Sequence, residues 1–125
     1  MKLHATTSAH YNTITGYGDG WVEINAQRFS HSMLIMPENL LERWPVERFK
    51  DLTADHFAAL AQYKPDVLLF GSGARLRFPH PRLLGALRAA GIGVETMDMR
   101  AASRTYNILM TEGRRVAAAL LIDAA

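Results

Sequence analysis

Two short stretches hold the residues best suited to chemistry. Gly71-Ser72-Gly73-Ala74-Arg75-Leu76-Arg77 follows the apolar run at 66–70, and Met97-Asp98-Met99-Arg100 follows a second apolar run at 92–96. Gly71 and Gly73 leave room for backbone N–H groups to approach an anion, and Arg75, Arg77 and Arg100 add positive charge. Such a constellation suits a small phosphate or carboxylate. The same glycines also suit a plainer purpose, a tight exit from a buried strand with the arginines left in water. The loop has no Walker lysine and no complete GxGxxG, and it does not run straight into a helix.

A polar stripe starts beside Asp98. At about 100° per residue, Arg100, Ser103, Arg104, Asn107 and Thr111 fall on one side of a helix, and Ala101, Ala102, Thr105, Tyr106, Ile108, Leu109 and Met110 fill the remaining arc. The stripe reads either as a binding surface continuous with the Gly71 loop or as a solvated face. Ser72 stands in GSG rather than in the GxSxG of a nucleophile elbow. The histidines at 4, 10, 31, 56 and 80 show neither HxH nor HExxH spacing, so no metal site is expected. A reaction in the crevice would have to use His80, held between Pro79 and Pro81, or Asp98 as its base, and Asp98 reads first as a helix cap. No catalytic residue and no cofactor is therefore assigned, and the balance leans away from an enzyme.

The 125 residues contain no cysteine, which excludes disulfides, thiol nucleophiles and Cys-based zinc sites. With 49% apolar and 21% charged residues the chain is an ordinary globular one, long enough to hide roughly two-thirds of its unfolded surface in one core. A net charge of +2 does not mark a nucleic-acid binder, although most of the arginines follow residue 70. The longest apolar run, Val116 to Ile122, is far short of the ~20 residues of a membrane span. The first residues lack a leader pattern, so a cytoplasmic location without membrane insertion is expected.

The elements that must position the two stretches fall into two halves of one domain, 1–125. Up to about residue 50 the chain reads as hairpins. Asp19-Gly20 turns between strands at 11–15 and 21–25, residues 28–36 form a strand with one buried face, and 40–44 form a short one. From about 51 the pattern is α, then β-α-β-α-β. Thr53 caps a first helix that Leu52 staples onto Phe57, 66–70 is a buried strand, and Pro81–Ala90 is a second helix ended by Gly91. A strand at 92–96, a third helix at 99–112 and a last strand at 115–122 follow. The fold class is α/β, a mixed central sheet with a parallel C-terminal part flanked by helices and an N-terminal hairpin region completing or covering it. That order puts the Gly71 turn and the Asp98 helix start side by side at one rim.

The motif GSG-x-R-x-R-F-P at 71–79, the segment G-I-G-V-E-x-M-D at 91–98 and A-S-R-T-Y-N-x-L-x-x-E-G-R-x-V at 102–116 occur together with I-T-G-Y-G-D-G at 14–20 and with Leu52-Thr53 and His56-Phe57. In these the chain resembles a bacterial domain-of-unknown-function family related to mitochondrial complex I assembly factor 3 and to the adipogenesis-associated domain proteins. Ser72 stands where that family carries threonine, and the hydroxyl is kept. The resemblance implies a small mixed-sheet α/β fold without an established active site, and a role as a non-catalytic, protein-binding, assembly-factor-like domain. Its partner would be another protein, met through Gly71, Ser72, Gly73, Arg75, Arg77, Asp98, Arg100, Ser103, Arg104 and Asn107. The alternative is a protein or enzyme that takes a small anionic metabolite in the crevice.

Overall fold

The structure, a computed structural model, describes residues 11–123. His4, His10 and the first residues read for a leader lie outside the described residues. The elements are β1 (Ile14–Gly18), β2 (Trp21–Ile24), β3 (Gln27–Phe29), β4 (Met33–Met36), β5 (Leu40–Arg43), α1 (Ala54–Ala58), β6 (Val67–Gly71), α2 (Gly85–Ala89), β7 (Gly93–Met97), α3 (Met99–Thr111) and β8 (Val116–Leu120). Short 3₁₀ turns at Phe49–Asp51, Ala59–Tyr63 and Pro81–Leu84 precede or extend the two small helices. Asp19-Gly20 makes the two-residue turn expected, with Gly20 at φ 77°.

The strands form two sheets. β1-β2-β3 is an antiparallel meander, and the second sheet has the order β5-β4-β8-β6-β7. β6 pairs in parallel with β7 and β8, and β4 joins β8 and β5 antiparallel. The mixed α/β class is as the sequence implied, and the hairpin half both completes the central sheet, through β4 and β5, and covers it, through β1–β3.

One expectation is corrected. Residues 28–36 are not a single strand, because β3 ends at Phe29 in one sheet and β4 begins at Met33 in the other. Ser32 marks the crossing. It is buried, its Oγ accepts the Ile122 N–H at 2.9 Å, and its carbonyl accepts the Trp44 N–H at 2.9 Å. β4 also lacks the one-sided pattern expected, since Met33, Leu34, Ile35 and Met36 are all buried. An interior strand must be apolar on both faces.

The central sheet is covered on both sides, and alternate residues divide between two cores. Leu34, Met36, Leu68, Phe70, Ala117, Ala119 and Leu121 face α1, α2 and the 44–60 segment. Trp44, Phe57 and Phe70 meet there edge to face at 5.4–6.1 Å, and Trp44 Nε1 donates to the His56 carbonyl. Thr53 caps α1 in a box closed by the His56 ring, whose other nitrogen reaches the Pro45 carbonyl. Met33, Ile35, Leu69, Ala118 and Leu120 face α3 and the meander. α3 lies close to the sheet because small residues meet. A Cβ on Gly71 would come within 3.0 Å of Leu120 and 3.2 Å of Ala102.

The polar stripe of α3 holds the meander. Asn107 Oδ1 accepts the Ile14 N–H at 3.1 Å and its Nδ2 donates to the Ile14 carbonyl at 2.7 Å, so one amide stands in for a neighbouring strand at the β1 edge. Tyr106, fully buried, donates its hydroxyl to the Asn12 carbonyl at 2.7 Å. Asn12 Nδ2 in turn donates to the Met36 and Leu40 carbonyls, which ties the meander to the β4–β5 turn.

Two outcomes follow. Asn107→Ala leaves both Ile14 groups unpaired beside a buried side chain and lowers unfolding free energy by about 1–3 kcal/mol in a denaturant titration. Burial pushes the Tyr106 phenol above its ordinary value of 10.0. The folded state keeps that proton while the unfolded chain releases it, so this contribution is intact below pH 10 and is lost as pH rises further. Native-state titration at 295 nm is therefore the same for wild type and Tyr106→Phe, and the missing phenolate absorbance shows only when both are unfolded.

Candidate functional site

The two stretches singled out by the sequence meet at the carboxyl rim of the parallel strands. The Ser72 N–H donates to the Met97 carbonyl, the Met99 N–H to the Gly73 carbonyl and the Leu121 N–H to the Gly71 carbonyl, each at 2.8 Å. The ends of β6, β7 and β8 are thus stitched together. The chain leaves β6 toward α2 on one face and leaves β7 into α3 on the other, the arrangement that opens a crevice outside strand ends.

Within the rim, many of the candidate polar groups are engaged inside the domain. Ser72 is fully buried, and its Oγ donates to the Arg75 carbonyl at 2.7 Å and accepts the Arg77 N–H at 2.9 Å. This hydroxyl braces the 72–77 loop. Gly73 needs its glycine, with φ at 99° and a Cβ that would strike Arg77 and Asp123 at 2.7 and 2.8 Å. Arg77 turns back to donate to the Ser72 carbonyl and to pair with Asp123 at 2.9 Å, its guanidinium 4.8 Å from the Phe49 ring. Asp98 Oδ1 accepts the Ala101 N–H at 2.8 Å as the cap of α3. His80 likewise caps its turn, with Nδ1 facing the Arg82 N–H at 3.2 Å.

The stripe of α3 divides. Ser103 lies on the packed side rather than on an outward stripe, because its buried hydroxyl donates back to the Met99 carbonyl at 2.8 Å. Asn107 is held by β1. Arg104 donates to the Tyr17 hydroxyl at 3.0 Å, and the Arg100 guanidinium sits 5.9 Å from the Tyr17 ring. Arg75 and Arg100 are exposed.

Between the Asp19-Gly20 turn and the rim lies a cavity of about 350 Å³. Its lining includes Gly18, Gly20, Gly73, Met99, Leu121 and Ile122, with Asp19, Arg100 and Asp123 as its charged members. Of the ten sequence candidates only Gly73 and Arg100 line it. The turn and the 121–123 segment were missed because their approach to the rim is a long-range fact with no local signal. A second cavity, about 290 Å³, opens at the opposite end of α3 between Tyr11, Tyr63, Met110 and Arg114. There the Tyr63 phenol is pushed up by burial and by the nearby Glu42 carboxylate.

Beside the crevice the same loop turns two apolar side chains to solvent. Leu76 is 53% exposed and Phe78 is 69% exposed. Trp44 is a core residue, while Trp21 and Phe49 are half-buried. The Arg77–Asp123 pair is only partly buried, so Asp123→Asn costs at most about 1 kcal/mol. It frees the loop end, however, and trypsin should cut after Arg75 about fivefold faster, as read by mass spectrometry of a proteolysis time course.

From residue 14 to residue 121 the sequence matches the model of a family described as a protein of unknown function (DUF498/DUF598). The Bos taurus protein named NADH dehydrogenase (ubiquinone) 1 alpha subcomplex assembly factor 3 is 30% identical over 110 residues, 86% of this chain and 59% of its own length. The chain thus spans about three-fifths of that relative. A crystal structure of a Bordetella parapertussis protein superposes with a TM-score of 0.85 at 50% identity, covering 90% of this chain and 97% of the other. The solution structure of a Bordetella pertussis protein described as a Mth938-like domain gives 0.79 at 43% identity, covering 98% and 93%. The relatives are those that the sequence motifs implied: this chain belongs to the DUF498/DUF598 family of proteins of unknown function and has its mixed α/β fold.

Proposed function

We propose that this chain is a non-catalytic, assembly-factor-like domain that binds another protein through the loop between β6 and Pro81. The observation that carries the reading is Phe78, 69% exposed beside Leu76 at 53% on a loop that cannot fold them away. The Ser72 hydroxyl and the Arg77–Asp123 pair brace the loop on one side, and buried Pro79 anchors it on the other. An aromatic ring presented on a rigid support costs little entropy to bind, which is how interface anchors work.

The name of the bovine relative, an assembly factor, supports a role through protein contact. The contacts foreseen for Arg75, Arg77, Arg100 and Arg104 narrow to Arg75 and Arg100. The other two are committed to Asp123 and Tyr17. No helix among the described residues is long and apolar enough to cross a membrane, so a partner in a membrane complex would be met from outside the bilayer.

The test places a photo-crosslinking residue at position 78 in cells and identifies what it captures. One defined partner is expected, and its affinity for purified Phe78→Ser should fall about tenfold, the effect of losing roughly 1.4 kcal/mol of apolar burial. Melting of the variant should stay close to that of wild type, since most of the Phe78 surface faces solvent in the domain alone. Adducts scattered over unrelated proteins, or undiminished affinity of the variant, would remove the loop as the docking element.

A further inference from the structure

We infer that the edge of β7 takes up an extended segment of a partner protein as an added strand. The segment turns one apolar and one acidic side chain toward α2. β7 ends the central sheet on one side and, among the described residues, pairs only with β6. The Ser72 N–H donates to the Met97 carbonyl, which fixes the parity of this parallel ladder. Gly93, Glu95 and Met97 turn their backbone groups toward β6, so Val94 and Thr96 turn theirs outward. Two N–H and two C=O groups thus stand in a row with no described strand to receive them, the template on which strand addition works. Val94 and Thr96 are both half-buried, within reach of an arriving backbone.

A depression beside that edge suits one side chain. Leu84, Arg88, Ile92, Gly93 and Val94 line about 230 Å³ next to β7. Small-molecule sites run to roughly 300–1,000 Å³, so this space falls below their range and matches a single apolar residue. Its walls are set in advance. The Ile92 N–H donates to the Leu87 carbonyl at 2.9 Å, and Leu84 and Val94 pack on the core beneath. Side chains of an added strand alternate between the two faces of the sheet, so every second one falls on the α2 side.

Charge decides the chemistry of the segment. From Val67 to Val94 the chain carries Arg75, Arg77, Arg82 and Arg88 and no Asp or Glu. Arg77 is committed to Asp123. Arg88 is exposed, lines the depression and enters none of the ion pairs among the described residues. An acidic side chain two positions from the apolar one shares its face and meets Arg88. Val94 faces the α2 core and Met97 the α3 core, so Glu95 points to the α3 side. Glu95 is exposed and likewise outside those ion pairs, which favours a lysine between the apolar and the acidic residue. A second copy of this chain does not fit. Antiparallel pairing of two β7 strands would bring both Arg88 side chains to one face and both Glu95 side chains to the other, like charge beside like.

Two blocked peptides with the same apolar residue and reversed charges test this directly: acetyl-SDTLKDTS-amide and acetyl-SKTLEKTS-amide, each titrated into ¹⁵N-labelled full chain. At saturation the first should slow hydrogen exchange at the Val94 and Thr96 amides about tenfold, the protection that a received strand gives. The second should bind at least about tenfold more weakly, and Arg88→Glu should narrow or reverse that order. Thr96→Pro removes an outward N–H and no bond to β6, so it should abolish binding in a folded chain. Arg88→Glu changes only an exposed side chain and decides alone if the proline is not tolerated. Equal affinity for the two peptides, or tighter binding of the second, would overturn the partner's chemistry. Unchanged exchange at Val94 and Thr96 with the first peptide would overturn strand addition. Protection of the same amides on raising the protein concentration alone would give the edge to a second copy instead. None of these outcomes depends on Leu76 or Phe78, so the docking loop stands or falls separately.

Discussion

The close seating of α3 on the central sheet is the constraint from which the rest of this structure follows. It is possible because the sheet offers no side chain at Gly71, where the first turns of the helix cross it. Gly71 faces Ala102 there, and a single added methyl on Gly71 would already press on Leu120 and Ala102. Dense interiors leave little slack for such additions. With the helix drawn down, the Met99 N–H reaches the Gly73 carbonyl and the ends of β6, β7 and β8 become one rim. A bulkier interface would lift the helix, and both the rim and the crevice would lose their shape.

The seated helix also supplies the fixed surface on which the hairpin half of the chain assembles. A three-stranded meander of short strands is barely stable alone in water. Here it gains an apolar floor through Ile14, Val22 and Ile24. It also gains a polar clasp in which Asn107 pairs both backbone groups of Ile14. The clasp does more than add bonds. Burying the β1 edge without partners would strand an N–H and a C=O, so the amide sets where the meander can lie and thereby hangs the Asp19-Gly20 turn over the rim. The crevice is a by-product of that placement, shared between two sheets that are distant in sequence.

The loop after β6 shows how the same polar groups can stabilise one surface and free another. Ser72 and Arg77, which a reader of the sequence would give to a ligand, turn inward and make the loop rigid. Leu76 and Phe78, which carry no polar chemistry, are what the loop presents. An assembly-type role needs little more than this: a firm backbone, an aromatic anchor and a few charges nearby.

Much of the architecture is legible in the residues themselves, because it rests on local periodicity. The Asp19-Gly20 turn, the Thr53 and Asp98 caps, the apolar run of β6 and the β-α-β-α-β order each depend on neighbours within about four residues, and each is present where the spacing implied. The side-by-side rim follows from that order alone. The division at Ser32 could not be read, since it depends on Ile122, which lies 90 residues away. The same holds for the fate of the polar side chains. Asn107, Arg77 and Ser103 look alike as candidates in sequence, but whether each faces solvent, a ligand or another strand is settled by contacts with Ile14, Asp123 and Met99. Local sequence determined which elements form and in what order. Tertiary packing alone decided which polar groups are consumed within the domain and which charges are left to face the crevice, because hydrogen-bond partners and net local charge are properties of neighbours in space.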